Sequence, residues 1–191
     1  TGDRNFYALW QLNEVTITYE VNCGTEILPL TGIAGESYLE PMPPLRLAYL
    51  FVGWYLDFDF SEVAEFIVIP DQNTTLYAKW AVDFDSPYQD AVTKSIYEVI
   101  ESYDSGDFDP SMVIRVRGIL FHHGSNRYSL MEQDKLVSLN IYQAEIVTIF
   151  NALPNGSTVE VIGTLGSFMG SAQLTNIQTD SYLVIHIPEE E

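Results

Sequence analysis

Apolar and polar residues alternate with a period of two along much of the chain, the pattern of strands that bury one face. Three such runs lie at 15–21, 48–55 and 74–80, and the second is dense in aromatic residues. Glycine and proline mark loops between them, since glycine supplies positive φ and proline cannot donate to a strand ladder. Residues 13–80 are therefore predicted to form one small β domain.

A short internal repeat shows how this domain continues toward the N-terminus. Phe6-Tyr7-Ala8-Leu9-Trp10 recurs as Leu76-Tyr77-Ala78-Lys79-Trp80, 70 residues later. We interpret residues 1–12 as the last strand of a preceding domain of the same kind. The chain also begins without an initiator Met, so we expect it to be a piece of a longer modular protein.

The composition changes after residue 81. Ser86 and Pro87 fit the N-cap and first position of a helix, and apolar residues then recur at helical spacing. The pattern predicts a helix over 86–103 within a helical connector, 81–109.

A second β region follows. The pattern predicts strands at 112–122, 127–133 and 135–142, a helix at 143–153, and strands at 157–165 and 172–187. Three strands, a helix and two strands is the order of a five-stranded OB barrel. We therefore predict an OB-fold-like domain over 110–191, and a mainly β (α+β) fold class for the whole chain.

Three motifs in 13–80 carry a family resemblance. They are the turn Asn22-Cys23-Gly24, the strand Tyr49-x-Phe51-x-Gly53-Trp54-Tyr55 and the ending Thr75-Leu76-Tyr77-Ala78-x-Trp80. Together they resemble the Listeria–Bacteroides repeat, also known as the internalin B-type B repeat of bacterial cell-surface proteins. Cys23 and Ala48 stand where the repeat has glycine. The resemblance implies a β-grasp-like domain used in tandem on surface proteins, and it brings no catalytic residues.

The second region has a resemblance of its own. The segment 153–166, rich in glycine and valine, and the later Gln173-Leu174-Thr175-Asn176 resemble OB-fold domains appended to bacterial extracellular proteins. Some of those proteins are secreted nucleases. The resemblance covers 110–187.

The charge balance limits the possible partners. The chain has 27 acidic and 8 basic residues, a net charge of −19, whereas nucleic-acid binders present basic patches. Nucleic acid is therefore a disfavoured partner. A single cysteine excludes a disulfide within the chain, and the apolar runs are too short to span a bilayer, so no membrane insertion is expected here.

Two sets of residues are candidates for binding. OB barrels bind ligands on the second and third strands, through aromatic side chains beside basic residues. Here those strands offer Tyr128 and Tyr142, with Arg115, Arg117 and Arg127 nearby. The alternative is barrel packing for the tyrosines and surface ion pairs for the arginines.

The second candidate set is acidic. Asp104, Asp107 and Asp109 lie close together in a glycine-containing loop, and calcium prefers such oxygen ligands. Their spacing differs from the EF-hand pattern, so the alternative is a solvated acidic loop. Calcium is the only cofactor that we consider.

Catalytic fingerprints are missing from the sequence, and we expect this region not to be an enzyme. We expect an extracellular location, at the cell surface or secreted. The predicted role is a spacer and an adhesion or binding region for protein or glycan. The alternative is an accessory substrate-binding domain of a secreted nuclease or other hydrolase.

Overall fold

A computed structural model describes residues 7, 9, 11–65 and 67–188. The chain divides into two compact units. The first runs to residue 22 and then takes in 27–43 and 52–79, and the second holds 23–26, 44–51 and everything from Trp80 onward. This division differs from the predicted boundary at residue 80, because two short segments from within 13–80 belong to the second unit.

The first sheet has four strands, β1 (Glu14–Glu20), β2 (Leu30–Ile33), β3 (Tyr49–Tyr55) and β4 (Thr74–Val82). Their order is β2-β1-β4-β3, with β1 antiparallel to β2 and parallel to β4. The three predicted strands are confirmed, and β2 was missed because Gly32 was interpreted as a loop marker. A Cβ at Gly32 would lie 2.5 Å from Cδ1 of Ile69, so the Ile69 side chain packs directly over this position and would have to shift for a larger residue.

One face of this sheet is buried. Its core consists of Val15, Ile17, Tyr19, Trp54, Ile69, Leu76 and Ala78. Trp54 is only 3% exposed and packs against Tyr19 with 5.1 Å between ring centroids. Tyr55 and Tyr77 remain half-buried. The strand predicted within 1–12 falls mostly on residues outside the described part of the chain.

Cys23 and Ala48, which stand where the sequence analysis expects glycine, keep a glycine-like backbone. Cys23 has φ 73° and Ala48 has φ 60°, both in the left-handed region. This conformation costs an L-residue about 1–2 kcal/mol because Cβ approaches the following carbonyl oxygen. The turns of the domain therefore keep their shape at the expense of local strain.

Cys23→Gly is expected to raise the free energy of unfolding by about 0.5–1 kcal/mol, since relief of strain exceeds the added chain entropy of glycine. Cys23 is exposed, so little packing is lost. Gln72→Gly, at an exposed position without positive φ, should lower stability by a similar amount. Urea unfolding measures both, and equal destabilisation by the two changes would contradict the assignment of strain.

The second sheet has seven strands. They are β5 (Val92–Thr93), β6 (Val113–His122), β7 (Tyr128–Glu132), β8 (Lys135–Leu139), β9 (Thr158–Phe168), β10 (Ser171–Thr175) and β11 (Tyr182–His186). Five of them close into a barrel in the order β6-β7-β8-β10-β9, because β9 also pairs with β6. Within the barrel only β8 and β10 run parallel.

The barrel confirms the predicted order of elements. A helix, α2 (Ala144–Ala152), lies between the third and fourth barrel strands, where the sequence places it. The mainly β fold class is confirmed as well. The predicted last strand, 172–187, was wrong in one respect: it is two strands, separated by a loop at 176–181 in which Asn176 has φ 57°.

The first helix begins later than the sequence analysis predicts. It is α1 (Ile96–Asp104), and Ser95 rather than Ser86 is its N-cap. The Ser95 hydroxyl accepts from the backbone N–H of Glu98 at 3.2 Å, and the Glu98 carboxylate accepts from the N–H of Ser95 at 2.7 Å. This reciprocal capping box satisfies two donors that a helix start otherwise leaves unpaired.

The helix belongs to the barrel's core and is not a free connector. Ile96 and Val99 are fully buried in the same cluster as Val116, Leu130 and Val159. The predicted helix over 86–103 was therefore wrong at its start, and residues 86–91 form turns that lead into β5.

Ser95→Ala is expected to lower the free energy of unfolding by about 1 kcal/mol, the usual cost of losing an N-cap. Ser86→Ala is the matched control, because its hydroxyl accepts only from the N–H of Tyr88 at 3.3 Å. It should change stability by less than about 0.5 kcal/mol. Denaturant unfolding compares the two, and a larger loss at Ser86 would place the helix start there after all.

Candidate ligand-binding cleft

The structure separates the five residues proposed for ligand binding into two groups. Arg115 and Arg117 lie on β6 and contact other parts of the protein. Arg127, Tyr128 and Tyr142 line one cleft together. The predicted single patch is therefore divided, and only the second group surrounds a space that a ligand can occupy.

The two arginines of β6 surround a buried carboxylate. Arg117 is the cross-strand partner of Glu160 on β9 and donates to its Oε2 at 3.0 Å. Arg115 places Nε 3.6 Å from Oε1 of the same residue, an ionic contact too long for a hydrogen bond. Glu160 is 4% exposed and Arg115 is 5% exposed. Burial of this acid is tolerated because two guanidinium groups face it.

The same guanidinium groups also bind backbone oxygens within the second unit. Arg115 donates to the carbonyl of Leu47 at 3.1 Å, and Arg117 donates to that of Cys23 at 2.7 Å. These contacts attach the segments 23–26 and 44–51 to the outside of β6. We infer a structural role for both arginines, which leaves them poorly placed to contact a ligand.

Glu160→Gln is expected to lower the free energy of unfolding by about 2–3 kcal/mol. The change removes the carboxylate charge and leaves two guanidinium groups facing an amide. The expected loss of stability is smaller than for a fully buried pair, because Arg117 is one-third exposed and water screens its charge. Glu101→Gln, on the exposed side of α1, is the control and should change stability by less than about 0.5 kcal/mol. Equal midpoints for the two variants in urea unfolding would show that the triad contributes nothing.

The cleft lies on the barrel and has a volume of about 510 Å³. Three parts of the second sheet form it. The β6–β7 turn supplies His123, Asn126 and Arg127, and the end of β8 with the residues after it supplies Ser138, Leu139, Asn140, Ile141 and Tyr142. Tyr128 of β7, Phe168 at the end of β9 and Gln173 of β10 complete the lining.

Two aromatic side chains of the cleft are open to solvent. Tyr142 is 83% exposed and Phe168 is 57% exposed. Tyr128, in contrast, is buried: its hydroxyl donates to Oδ1 of Asn151 at 2.7 Å, and burial raises its pKa. Tyr128 therefore forms the wall of the cleft, whereas Tyr142 and Phe168 can contact a ligand.

Several polar side chains in the cleft are available for bonding. Within the described part of the chain, those of Ser138, Asn140, Gln173 and Arg127 make no hydrogen bond or ion pair. Although the chain has 27 acidic residues, no carboxylate is among the residues that line the cleft. The site thus combines apolar rings, amides, a hydroxyl and one cation, the composition expected of a specific ligand pocket.

Sequence analysis missed part of this lining. Phe168 precedes the turn at Met169-Gly170 between two barrel strands, and OB barrels use that turn for binding. The position of Phe168 at the end of an apolar strand is the signal that could have identified it. Asn126, Asn140 and Gln173 carry no such local signal, because only the barrel's closure brings them together.

The proposed calcium ligands are not gathered into a site. Asp104 is the last residue of α1, and the Asp109 carboxylate accepts from the N–H and hydroxyl of Ser111 at 2.8 and 2.6 Å. These bonds, the one from the hydroxyl first, lower the pKa of Asp109. Among the described residues, no group of three or more His, Cys, Asp or Glu side chains is placed to hold a metal ion. Calcium binding at Asp104, Asp107 and Asp109 stays a prediction without support from this geometry.

Comparison with known families concerns the first sheet. Residues 16–79 match the family model of the Listeria-Bacteroides repeat domain. The match confirms the resemblance seen in the strand and turn motifs, over nearly the whole span predicted for it. It covers β1 to most of β4 and does not extend to the barrel with its cleft.

Two relatives come from Evansella cellulosilytica. One, named "Putative membrane protein", is 31% identical over 106 residues, which cover 55% of this chain and 15% of the relative. The other, named "Putative Gly-rich membrane protein", is 36% identical over 78 residues, 40% of this chain and 9% of the relative. The chain thus spans a small part of either relative. In the described part of the chain, no helix has the length and apolar character needed to cross a bilayer.

Solved structures overlap with this chain only weakly. The telomere capping protein Ten1 from Saccharomyces pombe has a TM-score of 0.33 at 11% identity, covering 46% of this chain and 79% of Ten1. The hypothetical protein YgiW from E. coli also reaches 0.33, at 15% identity, with 50% of this chain and 89% of that chain covered. TM-scores this low establish neither a shared fold nor a shared function.

Proposed function

We propose that this chain is a non-catalytic part of an extracellular bacterial protein, located at the cell surface or secreted. The repeat domain acts as a spacer, and the barrel binds a glycan or protein partner. The repeat match and the names of the two Evansella relatives support the location. The cleft supports the binding role, and it is the observation on which the proposal depends.

The cleft occupies the position where OB barrels bind. Its lining comes from the turn after the first barrel strand, the second and third strands with the residues after the third, the end of the fourth strand and Gln173 of the fifth. This region overlaps with the first binding loop and the second and third strands that OB barrels use. Tyr142 and Phe168 offer flat apolar surfaces to solvent, and nearby amides offer donors and acceptors. Exposed rings beside unbonded polar groups favour a ligand with apolar faces and polar edges.

A structural role for the histidine of the cleft supports the non-catalytic assignment. Nε2 of His123 lies 2.9 Å from Oγ of Ser129, the distance of a base and a nucleophile. Ser129 is only 2% exposed, however, so its hydroxyl cannot reach a substrate. We assign this pair to the packing of the β6–β7 turn.

Replacing both Tyr142 and Phe168 by alanine is expected to weaken binding by at least tenfold, because covering each exposed apolar ring with ligand is worth roughly 1.5 kcal/mol or more. Phe58→Ala is the control, since Phe58 is 71% exposed but lies in the first unit, outside the cleft. Binding of the wild-type chain and both variants to an array of oligosaccharides and purified extracellular proteins measures the effect.

The alternative, an accessory domain of a secreted nuclease or hydrolase, predicts another result. A single-stranded oligonucleotide would then bind more tightly than any array member, and its affinity would fall steeply between 50 and 200 mM salt (about the physiological range). Equal binding by the wild-type chain and the double variant would contradict a role for the cleft itself.

A further inference from the structure

Arg127 is the feature of the cleft that a general binding role leaves unexplained. Every other basic residue in the described part of the chain has a partner: Arg46, Lys79 and Lys135 lie over aromatic rings, Lys94 bonds to Ser102, and Arg115 and Arg117 face Glu160. Arg127 alone among them has none, although the chain carries 27 acidic residues. Its guanidinium is exposed, and none of the described residues that line its cleft carries a carboxylate.

We propose that the cleft binds a glycan in which a sugar ring carries a carboxylate. Arg127 would pair with the carboxylate through two parallel N–H donors, a geometry that suits guanidinium groups. Tyr142 and Phe168 would stack against the apolar faces of sugar rings, and the amides of Asn140 and Gln173 would bond to hydroxyl groups. This inference rests on the proposed function and adds the ligand's chemistry to it.

The charge distribution favours one anionic group over a polyanion. A nucleic acid presents a phosphate at every residue and requires several cations along its path, whereas Arg127 is the single Lys or Arg of the cleft. The net charge of −19 adds long-range repulsion that grows with the charge of the ligand. A ligand with one carboxylate gains the contact to Arg127, and it experiences little of this repulsion because it carries only one negative charge.

The backbone around the cleft disfavours an extended peptide. Peptides commonly bind by adding a strand to an open sheet edge. Ser138 of β8 and Gln173 of β10 line the cleft, yet these two residues are cross-strand partners in the closed barrel. The cleft therefore offers side chains and not a free strand edge, which suits a saccharide better than a peptide.

The experiment is a titration of the 191-residue chain with oligosaccharides that contain glucuronic, galacturonic or sialic acid. Each is paired with its own methyl ester, which keeps the ring and removes the charge. Arg127→Gln is compared with Lys135→Gln, which makes the same charge change outside the cleft. NMR chemical-shift changes measure Kd, and an unchanged spectrum elsewhere shows that the variants remain folded.

At least one acidic oligosaccharide should bind the wild-type chain about tenfold more tightly than its ester, because a charge-assisted bidentate contact is lost in the ester. Arg127→Gln should weaken binding of the acid far more than that of its ester and so remove this preference, whereas Lys135→Gln should retain it.

Three outcomes would overturn the inference. An ester that binds as well as its acid, with binding lost on replacing Tyr142 and Phe168, would refute the carboxylate and leave the proposed function standing. Tighter binding of a single-stranded oligonucleotide would refute the glycan. Failure of every acidic oligosaccharide to bind at millimolar concentration would also refute it, and the protein array would then decide separately whether the cleft binds anything.

Discussion

Strand β9 pairs with three other strands, and the second sheet depends on these pairings. It pairs with β6 along 158–164 on one side, and on its other side with β11 at 158–161 and then β10 at 164–168. The exchange of partners occurs beside Gly163, where a Cβ would lie 2.5 Å from the carbonyl oxygen of Thr175. Only glycine allows so close an approach of the two backbones. Gly163 therefore permits the exchange of partners along β9, and the pairing of β9 with β6 closes the barrel that carries the cleft.

Barrel closure also determines which arginine side chains are available to bind a ligand. It places Glu160 of β9 opposite Arg117 of β6 and within reach of Arg115, so both arginines are committed to a buried carboxylate and to carbonyls of the second unit. Arg127 lies on a turn beyond the paired part of β6 and β7, and none of the described residues that line its cleft is acidic. The difference between a structural and a ligand-facing arginine is therefore a difference of strand register, not of residue type.

Local pattern was sufficient for most of the fold. It predicted seven strands one by one, β10 and β11 together as an eighth, and α2 from apolar residues at helical spacing. The start of α1 was also encoded, because Ser95-x-x-Glu98 is a capping box, but Ser86-Pro87 satisfied the rules for a helix start nine residues earlier. What decides between them is burial of Ile96 and Val99 in the barrel core, a non-local fact. Strand β2 was also missed because the deciding contact is non-local. Ile69 packs against Gly32, a residue that by itself is typical of a loop.

The candidate site could be predicted only in part, because its members are distant in sequence and unremarkable one by one. Arg127, Tyr128 and Tyr142 were identified from the expected binding strands, but Phe168 and Gln173 join them only once β10 pairs with β8. Net charge was a poor guide to this cleft, which lacks the acids that cover the rest of the chain. For the ligand proposed here, the charge of Arg127 and the net charge of the whole chain act together. The local cation attracts one carboxylate, while the acidic surface around it repels polyanions, so that specificity arises from repulsion as well as from contact.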